Sequence, residues 1–288
     1  MLQKRDIRRA FNKSAAHYDK VAILQRQVAD EMLQRLDMVK PEFLQILDAG
    51  CGTGYALADL SKRYPKARVL ALDLADEMLR VSRARNRSAL SLFNPLRRAP
   101  LYVCSDLEQL ALADNSVDLV FSNLSLQWCN DFDKVMREWQ RVLKPGGMLL
   151  FSSLGPDTLR ELRDCWQTVD GKQHVHQFVD MHIVGDALLN AGFAEPVMDV
   201  DHYTLTYSDV MALMRDLKTL GASNALDTKS KALTGKRRLA QLAQAYEQYR
   251  VQQRLPATYE VVFGHAWKAQ ARTTQVNVSL DGLKHREN

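Results

Sequence analysis

Three glycines fall within five positions of "ILDAGCGTGYAL": Gly50, Gly52 and Gly54. They directly follow an apolar run that carries an acid, Asp48. A loop of this kind lets a ligand approach the backbone closely and turns N–H groups toward it. Two more acids, Asp73 in "RVLALD" and Asp106 in "LYVCSD", each end a short apolar run of strand character. Asp73 comes 21 residues after Gly52. At about that distance an acid on the second strand of a doubly wound sheet accepts from two ribose hydroxyls. A dinucleotide loop would read G-x-G-x-x-G, its third glycine opening a helix. Here the spacing is G-x-G-x-G below a carboxylate, which suits a ligand with a cationic end.

The elements that must position these residues follow from periodicity. Residues 3–13 and 20–38 read as N-terminal helices, the second with Val21, Leu24, Val28, Met32, Leu33 and Leu36 at helical spacing. Short β-type runs then alternate with helices: "QILDAG", helix 56–64, "RVLALD", helix 76–87, "LYVCSD", "VDLVFSN", helix 131–143 and "MLLFSSL". "KPGG" at 144–147 stops a helix and turns the chain into the next strand. Helices follow at 157–169 and 180–191, the latter closed by Gly192. A strand near 197–206, a helical insertion over 208–250 and a last strand at 259–267 complete the pattern. The expected fold is α/β, a doubly wound, mostly parallel seven-stranded sheet. One domain over 1–268 is expected, with a polar tail over 269–288 that frays.

With 46% hydrophobic and 25% charged residues the composition is that of a globular protein. No apolar run spans a membrane. The start is charged and lacks an apolar core, so no secretory signal is expected, and although it is basic its Asp residues speak against a transit peptide. The four cysteines form no CxxC pair, which points to reduced thiols and a cytoplasmic protein. The net charge is +5, and residues 221–288 carry 11 Lys/Arg against 5 Asp/Glu. That basic end is either a solvated face or a dock for an acidic partner.

The glycine loop and the acids resemble those of the class I S-adenosylmethionine (SAM) methyltransferases, with their Rossmann-like fold. "LDAGCGTG" is similar to that family's first motif, "LALDLADEML" to its second, and "CSDLEQLALADNSVDLVFSNLSLQW" to its third and fourth regions. The resemblance implies that Gly50 and Gly52 line the SAM loop above Asp48, and that Asp73 takes the ribose. It implies that Leu74 and Leu107 belong to the adenine site, that Asp106 accepts from the adenine amino group, and that Asn123 stands beside the methyl to be moved. S-adenosylhomocysteine would be the product.

"SNLSLQWCND" lacks the Pro-Pro of enzymes that methylate nucleic-acid amines, and the basic end has no aromatic platform. Nucleic acid is therefore not the expected partner. His174 and His176 read as loop residues, so no metal is expected. A more specific resemblance covers residues 5–268. "AFNKSAAHYDKVAILQRQVADEML", "LRELRDCWQTVD", "MRDLKTLGASN" and "LPATYEVVFGHAWK" look like the malonyl-acyl-carrier-protein O-methyltransferase family of early biotin synthesis. That family esterifies the free carboxylate of a malonyl thioester. The resemblance makes Tyr18, Gln127 and Trp128 candidates for a lid and wall that exclude water, with ordinary packing as the other reading of the aromatics. It makes Arg215, with Lys218 near it, the candidate clamp for the malonyl carboxylate, against a plain surface charge. Lys229, Lys231, Lys236, Arg237 and Arg238 would dock the acidic carrier protein. SAM-fold assembly factors of respiratory complex I, associated with hydroxylating a protein arginine, share "GPDTLRELR" and "PATYEV". The pair in "MRDLK" and the "FNKSAAHYD" entry helix favour the esterifying branch. A scaffold without activity fits the intact loop and acids less well.

Overall fold

The computed structural model describes residues 3–39, 41–90, 98–222 and 235–270. Seven strands form one sheet: β1 (Gln45–Ala49), β2 (Arg68–Asp73), β3 (Leu101–Cys104), β4 (Val117–Ser122), β5 (Leu143–Leu154), β6 (Phe193–Tyr207) and β7 (Leu255–Lys268). Their order is β3-β2-β1-β4-β5-β7-β6. β7 runs antiparallel to both neighbours, and the other pairings are parallel. The strand order reverses between β1 and β4, and ligands of open α/β sheets bind outside the carboxyl ends of strands at such a switch point.

Successive strand residues face opposite sides, so Ile46 and Leu47 of β1 enter different cores. Ile46, Phe121 and Phe263 pack under α3 (Ile23–Arg35), α4 (Leu57–Arg63), α7 (Arg160–Asp170), α9 (Val210–Thr219) and α10 (Lys236–Tyr246). Leu47, Val120 and Phe151 pack under α6 (Phe132–Val142) and α8 (Met181–Asn190). Asp131, Asp180 and Asp209 start α6, α8 and α9 by accepting backbone N–H groups. Gly192 closes α8 at φ +84°, as expected. Among the described residues no helix is long and apolar enough to cross a membrane.

Three expectations need correction. The helix read over 20–38 is two, α2 (Tyr18–Val21) and α3, broken at Ala22. The break aims α2 at the glycine loop, where Asp19 accepts from Thr53 Oγ1 at 2.6 Å and pairs with Arg85. "KPGG" lies within β5 rather than before it. Val117 pairs with Leu143 and Leu119 with Met148, so the four residues loop out opposite Asp118 alone. β6 and β7 are longer than expected, because they pair from Phe193↔Lys268 to Tyr207↔Leu255. The described part of the insertion holds α9 and α10. Lys229 and Lys231 lie outside the described residues.

Gly264 of β7 faces Phe151 of β5 in register. A Cβ at Gly264 would overlap the Phe151 ring, which is fully buried. Gly264→Ala should destabilise the fold by about 1–3 kcal/mol through overpacking. Denaturant titration checks this, and Phe151→Leu in the same chain should recover part of the loss.

Candidate active site

The loop after β1 is built on left-handed glycines, with φ of +82° at Gly50, +53° at Gly52 and +75° at Gly54. Its turn is fastened when the N–H groups of Gly50 and Cys51 donate to Leu72 O at 2.8 and 2.9 Å. A Cβ at Gly50 would strike Ser125, whereas a Cβ at Gly52 meets nothing within 4 Å. Gly52 therefore faces open space, a cavity of about 630 Å³.

The cavity collects most of the expected cofactor residues: Gly50, Gly52, Asp73, Leu74, Asp106, Leu107 and Asn123 all line it. Asp73 accepts the Gly52 N–H at 2.9 Å and the Ala75 N–H at 2.8 Å. Burial outweighs those hydrogen bonds and pushes its carboxyl up to about 6. Asp48 lies deeper, in an adjoining hollow with Gly50, Gly52, Tyr18 and Asn123. Burial, then the Asp73 charge, push its carboxyl up to about 8. Asn123 is held at both ends. Its Oδ1 accepts from Ser152 Oγ at 2.9 Å and its Nδ2 donates to Gln25 O at 2.8 Å.

The N-terminal helix α1 (Lys4–Ser14) covers this space. Lys4 Nζ reaches Asp106 Oδ1 at 2.9 Å and Glu108 Oε1 at 2.7 Å. Arg8 and Asn12 reach Asp76 at 3.3 and 3.0 Å. Phe11 meets Trp128 edge to face, with centroids 5.0 Å apart. Lys4 and Phe11 both line the cavity, and sequence reasoning missed both. Lys4 has no sequence signal beyond a position early in an amphipathic helix, and Phe11 none beyond its place in "AFNKSAAHYD".

A second chamber of about 530 Å³ shares Phe11, Tyr18, Leu124 and Trp128 with the first. Its other walls include Gln127, Thr158, Leu217, Leu220 and Tyr259. Tyr18 touches both chambers. Burial, then the charges of Asp73 and Asp19, push its phenol well above the usual range, so at neutral pH it remains an O–H donor. Gln127 is buried and donates from Nε2 to Leu124 O at 2.7 Å.

Arg215 and Lys218 are not brought to either chamber. On α9 the inner face is set by buried Leu213 and Leu217. Arg215 lies about 200° around the helix from each, and both cations are exposed. Lys236, Arg237 and Arg238 open α10 and are exposed. Arg238 lies 3.8 Å from Asp170, so it also ties α10 to α7. His174 does have a carboxylate partner, Asp170 at 2.9 Å, and it stacks on Trp166.

The family model described as "Methyltransferase domain" matches residues 47–151. The malonyl-[acyl-carrier protein] O-methyltransferase of Laribacter hongkongensis is 51% identical over 269 residues, which is 93% of this chain and 91% of the relative. The protein of the same name from a Methylovorus species is 50% identical over 272 residues, 94% of this chain and 91% of that one. Among solved structures, the YcgJ protein of Bacillus subtilis aligns with a TM-score of 0.59 at 14% identity, covering 85% of this chain and 99% of that one. That likeness speaks to the fold alone.

The Asp48 carboxyl gives a test of the site's electrostatics. Its folded value, about 8, is above the ordinary carboxylate value. The native state therefore holds a proton that the unfolded chain releases, and stability falls as pH rises through that value. Asp48→Asn, which never ionises, should flatten this decline between about pH 4 and 8. Thermal midpoints of both proteins across that range check it. Parallel curves would mean that Asp48 is already ionised in the native state at neutral pH.

Proposed function

The chain belongs to the malonyl-[acyl-carrier protein] O-methyltransferase family, and from that premise we propose that it methylates the free carboxylate of a malonyl group carried on acyl carrier protein. The ester masks the charge, so the product can enter chain elongation as the primer of pimeloyl, and hence biotin, synthesis. The observation that carries this reading is the pair of chambers joined at Tyr18, Phe11, Leu124 and Trp128.

The residues of the first chamber fit SAM. Asp73 offers a carboxylate to ribose hydroxyls, Leu74 and Leu107 offer apolar faces to a base, and Asp106 offers an acceptor to an amino group. Asp48 and Asp73 together favour a ligand that brings positive charge into a buried place. When bound, SAM supplies an electrophilic methyl group on a sulfonium. The acceptor carboxylate is already an anion, so the protein need supply no base. Its work is to align two ligands, worth about 7–11 kcal/mol in favourable cases, and to keep water out while opposite charges cancel.

The second chamber takes the malonyl end. With Arg215 and Lys218 exposed on α9, the neutral donors on its wall orient the carboxylate, Tyr18 first among them. A neutral O–H donor holds one oxygen without tying the anion to a fixed cation. Lys236 and Arg237, exposed at the start of α10, form the described part of a basic dock for the acidic carrier protein. Lys229 and Lys231 extend it in sequence. The four cysteines are free thiols, in keeping with a cytoplasmic site of action.

Mass spectrometry of malonyl-acyl-carrier protein incubated with enzyme and SAM tests the main reading. One added methyl on the malonyl group is expected, and an unmodified carrier would overturn it. Tyr18→Phe should lower turnover on that substrate by about 10-fold, the equivalent of one lost hydrogen bond, while SAM affinity measured by calorimetry stays near wild type. Reversal of Lys236 and Arg237 to Glu should act differently. It should raise KM for the carrier substrate and weaken the salt dependence of kcat/KM, since rim charges act by steering. Methylation of a small malonyl thioester should be unchanged.

A further inference from the structure

Away from the two chambers, three side chains from separate stretches of the chain meet. Asp157 follows β5, His202 lies in β6 and Glu260 lies in β7. Each offers one donor atom, and the three atoms lie within 4.8 Å of one another. His202 and Glu260 are direct cross-strand partners, so the sheet itself sets their spacing. Asp157 is brought to them by its backbone. Its N–H donates to Glu260 Oε2 at 2.6 Å. On either side, the Gly155 N–H and the Thr158 hydroxyl both donate to Glu260 O, at 2.9 and 3.1 Å. A Cβ at Gly155 would press on the Glu260 carboxyl and move it from this position.

The donors are an imidazole and two carboxylates. His202 Nε2 lies 3.9 Å from Asp157 Oδ2. Arg160, with Nη1 3.6 Å from Asp157 Oδ2, is the nearby cation, and its Nε turns toward Glu161 at 3.8 Å. One shared guanidinium leaves two carboxylates under-neutralised. Asp157 and His202 are exposed and Glu260 is half-buried, so a hydrated ion can reach all three. A nitrogen-and-oxygen set of this kind suits zinc and its neighbours better than magnesium, which prefers oxygen alone.

We propose that Asp157, His202 and Glu260 bind a divalent transition-metal ion of the zinc type. Three protein ligands leave a position for water. The chain neighbours Thr158 and Tyr259 line the second chamber, so the ion would fasten the 155–159 turn to β6 and β7 from the solvent side. It takes no part in methyl transfer. Its effect is to stiffen one wall of the chamber.

Calorimetric titration of the full chain with zinc chloride, at mildly alkaline pH where imidazole is neutral, tests this. The wild type should take up one ion that both His202→Ala and Asp157→Asn lose. Loss of a partner behind a ligand already costs about 10–100-fold in affinity, so loss of a ligand should weaken binding by more than about tenfold. Zinc held by the exposed thiol of Cys104 would survive in both variants and is told apart in that way. The thermal midpoint should rise with zinc in the wild type and stay put in the variants. No zinc uptake by the wild type, equal uptake by the variants, or equal binding of magnesium would each overturn the proposal.

Discussion

Two carboxyls on neighbouring strands govern this molecule, Asp48 buried and Asp73 half-buried at the cavity wall. Asp48 lies one residue before the end of β1 and Asp73 ends neighbouring β2; burial raises the cost of ionising both, and the Asp73 charge raises it further at Asp48. A protein that needed only a stable fold would place apolar groups here, as it does one residue away at Ala49 and Leu72. The surrounding structure reads as a response to that cost. The left-handed glycine loop turns the Gly52 N–H onto Asp73. The strand reversal between β1 and β4 opens the crevice in which a cationic ligand can balance the charge.

The cover over that crevice is made differently from the core. α1 is pinned by Lys4 on Asp106 and Glu108, by Arg8 and Asn12 on Asp76, and by one aromatic contact, Phe11 on Trp128. Such part-exposed ion pairs are each worth about 1 kcal/mol or less. Ile7 is also buried, and Phe11 packs against Ala75 and Met78, so α1 adds to these pegs a small apolar face of its own, separate from the two cores of the sheet. Lys4 also occupies Asp106, the acceptor assigned to the adenine amino group. Ligand entry and the seating of α1 thus meet at one carboxylate.

The sheet and first chamber were legible in the sequence because both are written locally. Strand–helix alternation gave the seven strands, and a glycine loop followed by acids at strand ends placed Gly50, Gly52, Asp73 and Asp106 around one cavity. What could not be read depends on contacts far apart in the chain. The break at Ala22 exists because Asp19 reaches Thr53 and Arg85. The cover residue Lys4 carries no motif, and Phe11 opens "FNKSAAHYD" without any mark there of a cavity wall. Arg215 reads as a clamp from its type and family context, and the phase of α9, fixed by Leu213 and Leu217, turns it outward in this structure.

That outward turn bears on how the acceptor is held. A guanidinium paired tightly with the acceptor carboxylate would stabilise the anion before reaction more than in the transition state, where its charge is being cancelled by the sulfonium. Interactions that favour the ground state do not speed the step. Tyr18 and Gln127 can orient the same group with neutral dipoles and leave the sulfonium as its nearest counter-charge. The attraction between the two ligands is then strongest where water is least. On the proposed function, basic residues would meet the carrier protein outside the chamber, which has none among its described walls.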